Sequence, residues 1–186
     1  MGYHTDFDGC FQLNKPLTKA HKAYLTRFNK SRRMKRDAGI AAKFTDPLRK
    51  AVKLSIGEQG QYYVGTVKGD KETIKPDDPR YCDNIPIQRQ AHYGQRHDAS
   101  VRDYNNPPDD QPGLWCQWTP TEDGSAIEWD GGEKFYYYVE WLQYLIDNFL
   151  QPWGYTLNGK VKWKGEEKGD RGTITVTNNK VSTNER

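Results

Sequence analysis

The chain has 186 residues, 34% of them hydrophobic, 13% aromatic and 28% charged, with a formal net charge of +3. No apolar run reaches the roughly 20 residues of a membrane-spanning helix, and three cysteines without CxxC spacing argue against a disulfide framework or a cysteine zinc knuckle. Disorder is argued against by the aromatics, since each buried ring removes a large area from water.

Residues 6–14 (DFDGCFQLN) alternate partly and read as a short strand with a bulge at Gly9. Thr18 caps a helix from Lys19 to about Met34, with Ala20, Tyr24 and Phe28 as its apolar stripe. Asp46-Pro47 marks a second, short helix start that Gly57 stops. QYYVGTV (61–67) reads as a strand. Residues 68–113 hold six of the ten prolines and little periodicity.

Five of the six tryptophans, Trp115, Trp118, Trp129, Trp141 and Trp153, fall in the next forty or so residues. Strands at Leu114–Thr119 and Ser125–Asp130 flank an EDG turn. Phe135, Tyr138, Val139, Leu142, Leu145, Ile146 and Phe149 then repeat at helical spacing, with Asp130 placed to cap that helix and Pro152 to end it. Asn158-Gly159 reads as a two-residue hairpin turn between Tyr155–Leu157 and Lys160–Lys164. A second Asn-rich turn separates Gly172–Thr177 from Lys180–Thr183.

This order predicts one α+β domain over residues 1–186. Its sheet is mainly antiparallel, of about six to seven strands, with two helices packed on one face and a long Pro-rich loop or insertion at 68–113.

Charge is the first functional lead. Residues 1–100 carry 19 Lys and Arg against 11 Asp and Glu, whereas residues 101–186 carry 9 against 14. Lys30, Arg32, Arg33, Lys35 and Arg36 form the densest cluster, expected at a helix end. They are the candidate binding residues, for the phosphates of a nucleic acid or for an acidic host protein. The bland reading is a solvated face that suits the helix dipole.

His92, His97 and Asp98 give an alternative acid–base group for a small nucleotide-directed enzyme. Their spacing lies in an expected loop, which favours ordinary loop histidines. Glu122, Asp123, Glu128, Asp130 and Glu133 are explained by turn and cap roles. GxGxxG, GxxxxGKS, GxSxG and HExxH are absent, so no cofactor and no metal is expected. Without a leader or an apolar span, a cytoplasmic protein with reduced thiols is expected.

The stretches YHTDFDGCFQLNKPL, RRMKRD, RDYNNPPDDQPGLWCQWTP, WDGGEKFYYYVEWLQYLI and PWGYTLNGKVKW resemble a family of uncharacterised proteins found in bacteriophages and bacteria. The resemblance covers most of the two ends and is weakest at about 38–100. It implies a phage or mobile-element setting. Small proteins of that setting often inhibit host defences by binding, as in an anti-CRISPR-type inhibitor, and a structural phage component is the other option. It implies no catalytic residue.

Overall fold

The computed structural model describes residues 2–65, 74–90 and 96–185. Its elements run β1 (Thr5–Asp8), β2 (Cys10–Leu13), α1 (Lys19–Asn29), β3 (Lys35–Arg36), α2 (Ala38–Ala41), α3 (Pro47–Ala51), β4 (Val101–Asp103), β5 (Trp118–Pro120), β6 (Ala126–Trp129), α4 (Tyr138–Leu145), β7 (Leu157–Gly165), β8 (Arg171–Thr177) and β9 (Lys180–Glu185). The fold is α+β. The chain gathers into two units, one from residues up to Lys22 together with those from Cys116 onward, the other from Ala23 to Trp115. Helix α1 contributes its first turn to the first unit and the rest to the second. Among the described residues, no helix is long and apolar enough to cross a membrane.

The first unit is a seven-stranded antiparallel sheet in the order β5-β6-β2-β7-β8-β9, with β1 also paired to β7. Strand β7 alternates strictly: Leu157, Val161 and Trp163 are buried, while Lys160, Lys162 and Lys164 are exposed. The buried side continues through Phe11, Ile127, Ile174 and Val176. Helix α4 covers that side. Its periodicity works as expected, burying Trp141, Leu142 and Leu145, and a π turn at Ile146–Leu150 brings Phe149 and Leu150 inward as well. The indole N–H of Trp118 donates to the Tyr138 carbonyl at 2.7 Å, joining sheet to helix.

Four expectations are corrected here. Gly9 interrupts the β1–β2 line at φ +108, yet Asp8 opposes Lys162 and Phe11 opposes Gly159, so the register is unbroken and no bulge residue is inserted. Asn158-Gly159 is no turn: both lie inside β7, and the chain reverses later, at residues 166–170. A Cβ on Gly159 would stand 3.0 Å from the Cys10 carbonyl oxygen and 3.2 Å from the Phe11 Cα, so close strand approach explains that glycine. Asp130 does not cap α4. Its carboxylate accepts from the Gly132 N–H at 2.8 Å, and the cap position is Tyr137. Residues 61–65 of the expected QYYVGTV strand are turn and irregular chain, and the rest of it lies outside the described residues.

The second unit has little regular structure beyond part of α1, with α2, α3 and a two-stranded ladder of β3 on β4. Helix α1 starts as expected, with the Thr18 hydroxyl accepting from the His21 N–H at 3.2 Å. It ends at Asn29 rather than Met34, because the Ser31 hydroxyl donates back to the Arg27 carbonyl and the chain leaves to form β3. Tyr24, Leu25, Phe28, Met34, Phe44, Tyr63 and Val64 make its apolar core.

Candidate functional site

The basic cluster of residues 30–36 is largely turned inward. Arg33 is 3% exposed. Its guanidinium donates to the carbonyls of Tyr63 (2.8 Å) and Gln61 (2.6 Å) and lies 4.2 Å from the centre of the Phe28 ring. Arg36, also 3% exposed, pairs with buried Asp98, donates to the Ser100 hydroxyl at 2.8 Å and lies over the Tyr63 ring. Arg32 is half-buried, donating to the Tyr104 carbonyl at 3.0 Å and stacking on that ring. Lys35 pairs with Asp109 at 2.6 Å, and Lys30 is exposed. The five residues are adjacent in sequence, but the fold does not present them as one surface.

Buried arginines elsewhere in this unit act alike. Arg27 donates to the Val64 carbonyl, and Arg49 bridges Asp46 and the Leu54 carbonyl. Burial raises the Asp46 carboxyl above its ordinary pKa, against the pull of Arg49, and raises the Tyr63 phenol strongly. An irregular chain leaves carbonyls without ladder partners, and a guanidinium with five donors satisfies several at once.

The alternative acid–base group does not assemble among the described residues. His92 lies outside them. His97 stacks on Tyr104 with ring centres 4.5 Å apart, and burial lowers its pKa although neighbouring Asp98 opposes this. Asp98 accepts from Arg36, the Ser100 N–H and the Ser100 hydroxyl, and no hydrogen bond joins it to the His97 ring. Among the described residues there is no group of three or more His, Cys, Asp or Glu able to hold a metal. Asp123 holds its own turn, accepting from Thr121 and Ser125, which lowers its pKa to about 2.

A different basic surface lies in the first unit, on the sheet face opposite α4. Lys160, Lys162 and Lys164 stand there at every second position of β7, about 6.6 Å apart along the strand. Register places Arg171 opposite Lys164 and Thr173 opposite Lys162 on β8, with Asn184 next on β9; Lys180 opposes Thr177 on the same face. The carboxylates of this face, Asp6, Asp8 and Glu128, stand on β1 and β6. None of the described side chains within strands β7, β8 and β9 is acidic, while Glu166, Glu167 and Asp170 lie in the turn between β7 and β8. Two shallow cavities of about 520 Å³ each share Asp8, Lys162, Thr173 and Asn184.

The sequence signal for this surface is the alternation KVKWK, which sets three cations on one face of any strand. Reading Asn158-Gly159 as a turn hid the length of that strand. A comparison with protein-family models, curated proteins and solved structures finds no match for this chain.

Proposed function

We propose that the protein is a non-enzymatic binding protein whose first unit engages nucleic acid through the β7–β9 half of its open sheet face. The observation that carries this reading is the row Lys160, Lys162 and Lys164, exposed and without ion-pair partners among the described residues, beside Arg171 and Lys180. Ammonium and guanidinium groups that neutralise phosphates release counterions, so affinity comes with steep salt dependence. Thr173, Thr175, Ser182 and Asn184 supply neutral donors between the cations, as phosphate contacts require. Asp6 and Asp8, opposite Lys164 and Lys162, border the row on its β1 side and direct the polymer towards β8 and β9. A phage or mobile-element binder acting in the host cytoplasm on nucleic acid, or on a defence complex that holds it, belongs to the same proposal.

Anisotropy of labelled DNA and RNA measured between about 50 and 200 mM salt tests it. The expected result is binding that weakens steeply with salt, and its loss in Lys160→Glu/Lys162→Glu/Lys164→Glu with the melting temperature unchanged. Absence of binding at the low-salt end overturns the reading.

A further inference from the structure

The open face of the first unit repeats one arrangement. Register sets Asp8 of β1 opposite Lys162 of β7, with Thr173 of β8 and Asn184 of β9 in the same row. The next row on this face sets Asp6 opposite Lys164, and then Arg171. Each row therefore reads carboxylate, ammonium and a further donor, with neighbouring strands about 4.8 Å apart and the two rows about 6.6 Å apart. Both cavities of this face meet on the first row. The one that also takes in Asp6, Lys164 and Arg171 spans the two rows.

Opposite charges placed across a ladder ordinarily attract each other into a pair. Among the described residues, no ion pair joins Asp6 to Lys164 or Asp8 to Lys162. Asp6 is engaged by the His4 ring instead, at 3.0 Å and through one of its two oxygens, and Asp8 makes no side-chain hydrogen bond to a described residue. Both aspartates are exposed. The carboxylates thus keep free lone pairs on the same face as the ammoniums.

An ionised carboxylate only accepts hydrogen bonds, and an ammonium only donates them. A ligand matched to these rows carries an anion for each lysine and, one strand spacing away, a donor for each carboxylate. Because the pair repeats, the ligand that fits it repeats as well. Every nucleotide supplies the anion, but only the ribose 2′-hydroxyl adds a donor to the sugar-phosphate backbone. DNA brings phosphates with nothing to offer Asp6 and Asp8, so those carboxylates only repel it.

Resting on the nucleic-acid reading above, we infer that the bound polymer is RNA, its phosphates lying along Lys162, Lys164 and Arg171 while its 2′-hydroxyls donate to Asp6 and Asp8 on the β1 border. The carboxylates that direct the polymer towards β8 and β9 also select the sugar that lies beside them. A hydroxyl donating to a carboxylate makes a charge-assisted bond, stronger than one between neutral groups.

Anisotropy tests this with RNA, DNA and 2′-fluoro strands of one sequence, with uracil in all three. The comparison is made in whichever of the single-stranded and duplex forms binds the full chain more tightly. The fluorinated strand keeps the shape of RNA but has no hydroxyl to donate. RNA is expected to bind about 10-fold more tightly than either of the others, as one exposed hydrogen bond to a charged acceptor gives. In Asp6→Ala/Asp8→Ala, DNA affinity rises as the repulsion is lifted, and the preference for RNA disappears. Asp6→Asn/Asp8→Asn keeps an acceptor without the charge and retains part of that preference. Equal binding of RNA and DNA, a fluorinated strand bound as tightly as RNA, or an unchanged preference in the alanine pair overturns this inference and leaves the nucleic-acid reading standing. No binding of any strand overturns both.

Discussion

Arg36 shows how a charge that looks like surface becomes interior. Its guanidinium is held by Asp98 and Ser100 beneath the Tyr63 ring, all of them buried. Removing one member of a buried pair strands the other charge. Arg36→Met is therefore expected to lower unfolding stability by about 3–5 kcal/mol in urea titrations. Arg36→Met/Asp98→Leu should recover part of that loss, because the penalty lies in the unpaired carboxylate. The density of SRRMKRD was legible in the sequence, but its direction was not. The carbonyls that receive Arg33 come from Gln61 and Tyr63, some thirty residues onward in a stretch without periodicity. Asp123 is the opposite case, a turn residue whose role could be read directly. Its folded pKa of about 2 lies below the ordinary aspartate value of about 3.9. The unfolded chain binds the proton first, so this contribution to stability is present above about pH 4 and lost as pH falls towards 2. In a series of melting temperatures against pH, Asp123→Asn should flatten that acid limb.

At the scale of elements, periodicity was a dependable guide, while turn chemistry held at residues 122–124 and 178–179 and failed at Asn158-Gly159. The apolar stripe of α4 and the hairpin of β5 with β6 were legible because burial imposes their spacing. Asn158-Gly159 carries the favoured hairpin dipeptide, yet tertiary pairing with β2 on one side and β8 on the other keeps it extended. The turn at Asn178-Asn179 lacks the favoured glycine but is the real one, with φ of 47 and 67. Asn179 is held there by more than its backbone: its side chain accepts from the Leu157 N–H at 2.6 Å and donates to the Tyr155 carbonyl at 3.1 Å. Asn already tolerates the left-handed region, so replacing it with Gly relieves little strain. Losing both hydrogen bonds outweighs that gain, and Asn179→Gly is expected to destabilise by about 1 kcal/mol in denaturant titrations. Gly159→Val, which drives a side chain into Cys10 and Phe11, is expected to cost about 2–3 kcal/mol by the same measurement.

The path of the whole chain sets which segments the fold can lose. Sheet order puts β2 between β6 and β7, so the second strand of the sequence joins two hairpins that come more than a hundred residues later. No local pattern in DFDGCFQLN announces such a position, since register with distant strands is decided by packing and not by spacing within the segment. Terminal residues are usually dispensable, but only when their backbone is exposed and unpaired. Here Phe11 is fully buried, and its neighbours pair with β6 on one side and β7 on the other. Deleting residues 2–14 divides the sheet into a two-stranded piece, β5 with β6, and a three-stranded piece, β7 to β9. It also uncovers Ile127, Val161 and Trp118. A two-stranded hairpin is at best marginally stable alone. The truncated chain is therefore expected to lose the near-ultraviolet dichroism of its tryptophans and the cooperative melting of the first unit. A synthetic peptide of residues 2–14, added in excess, should restore both, because the missing strand contributes through pairing and burial that need no covalent link.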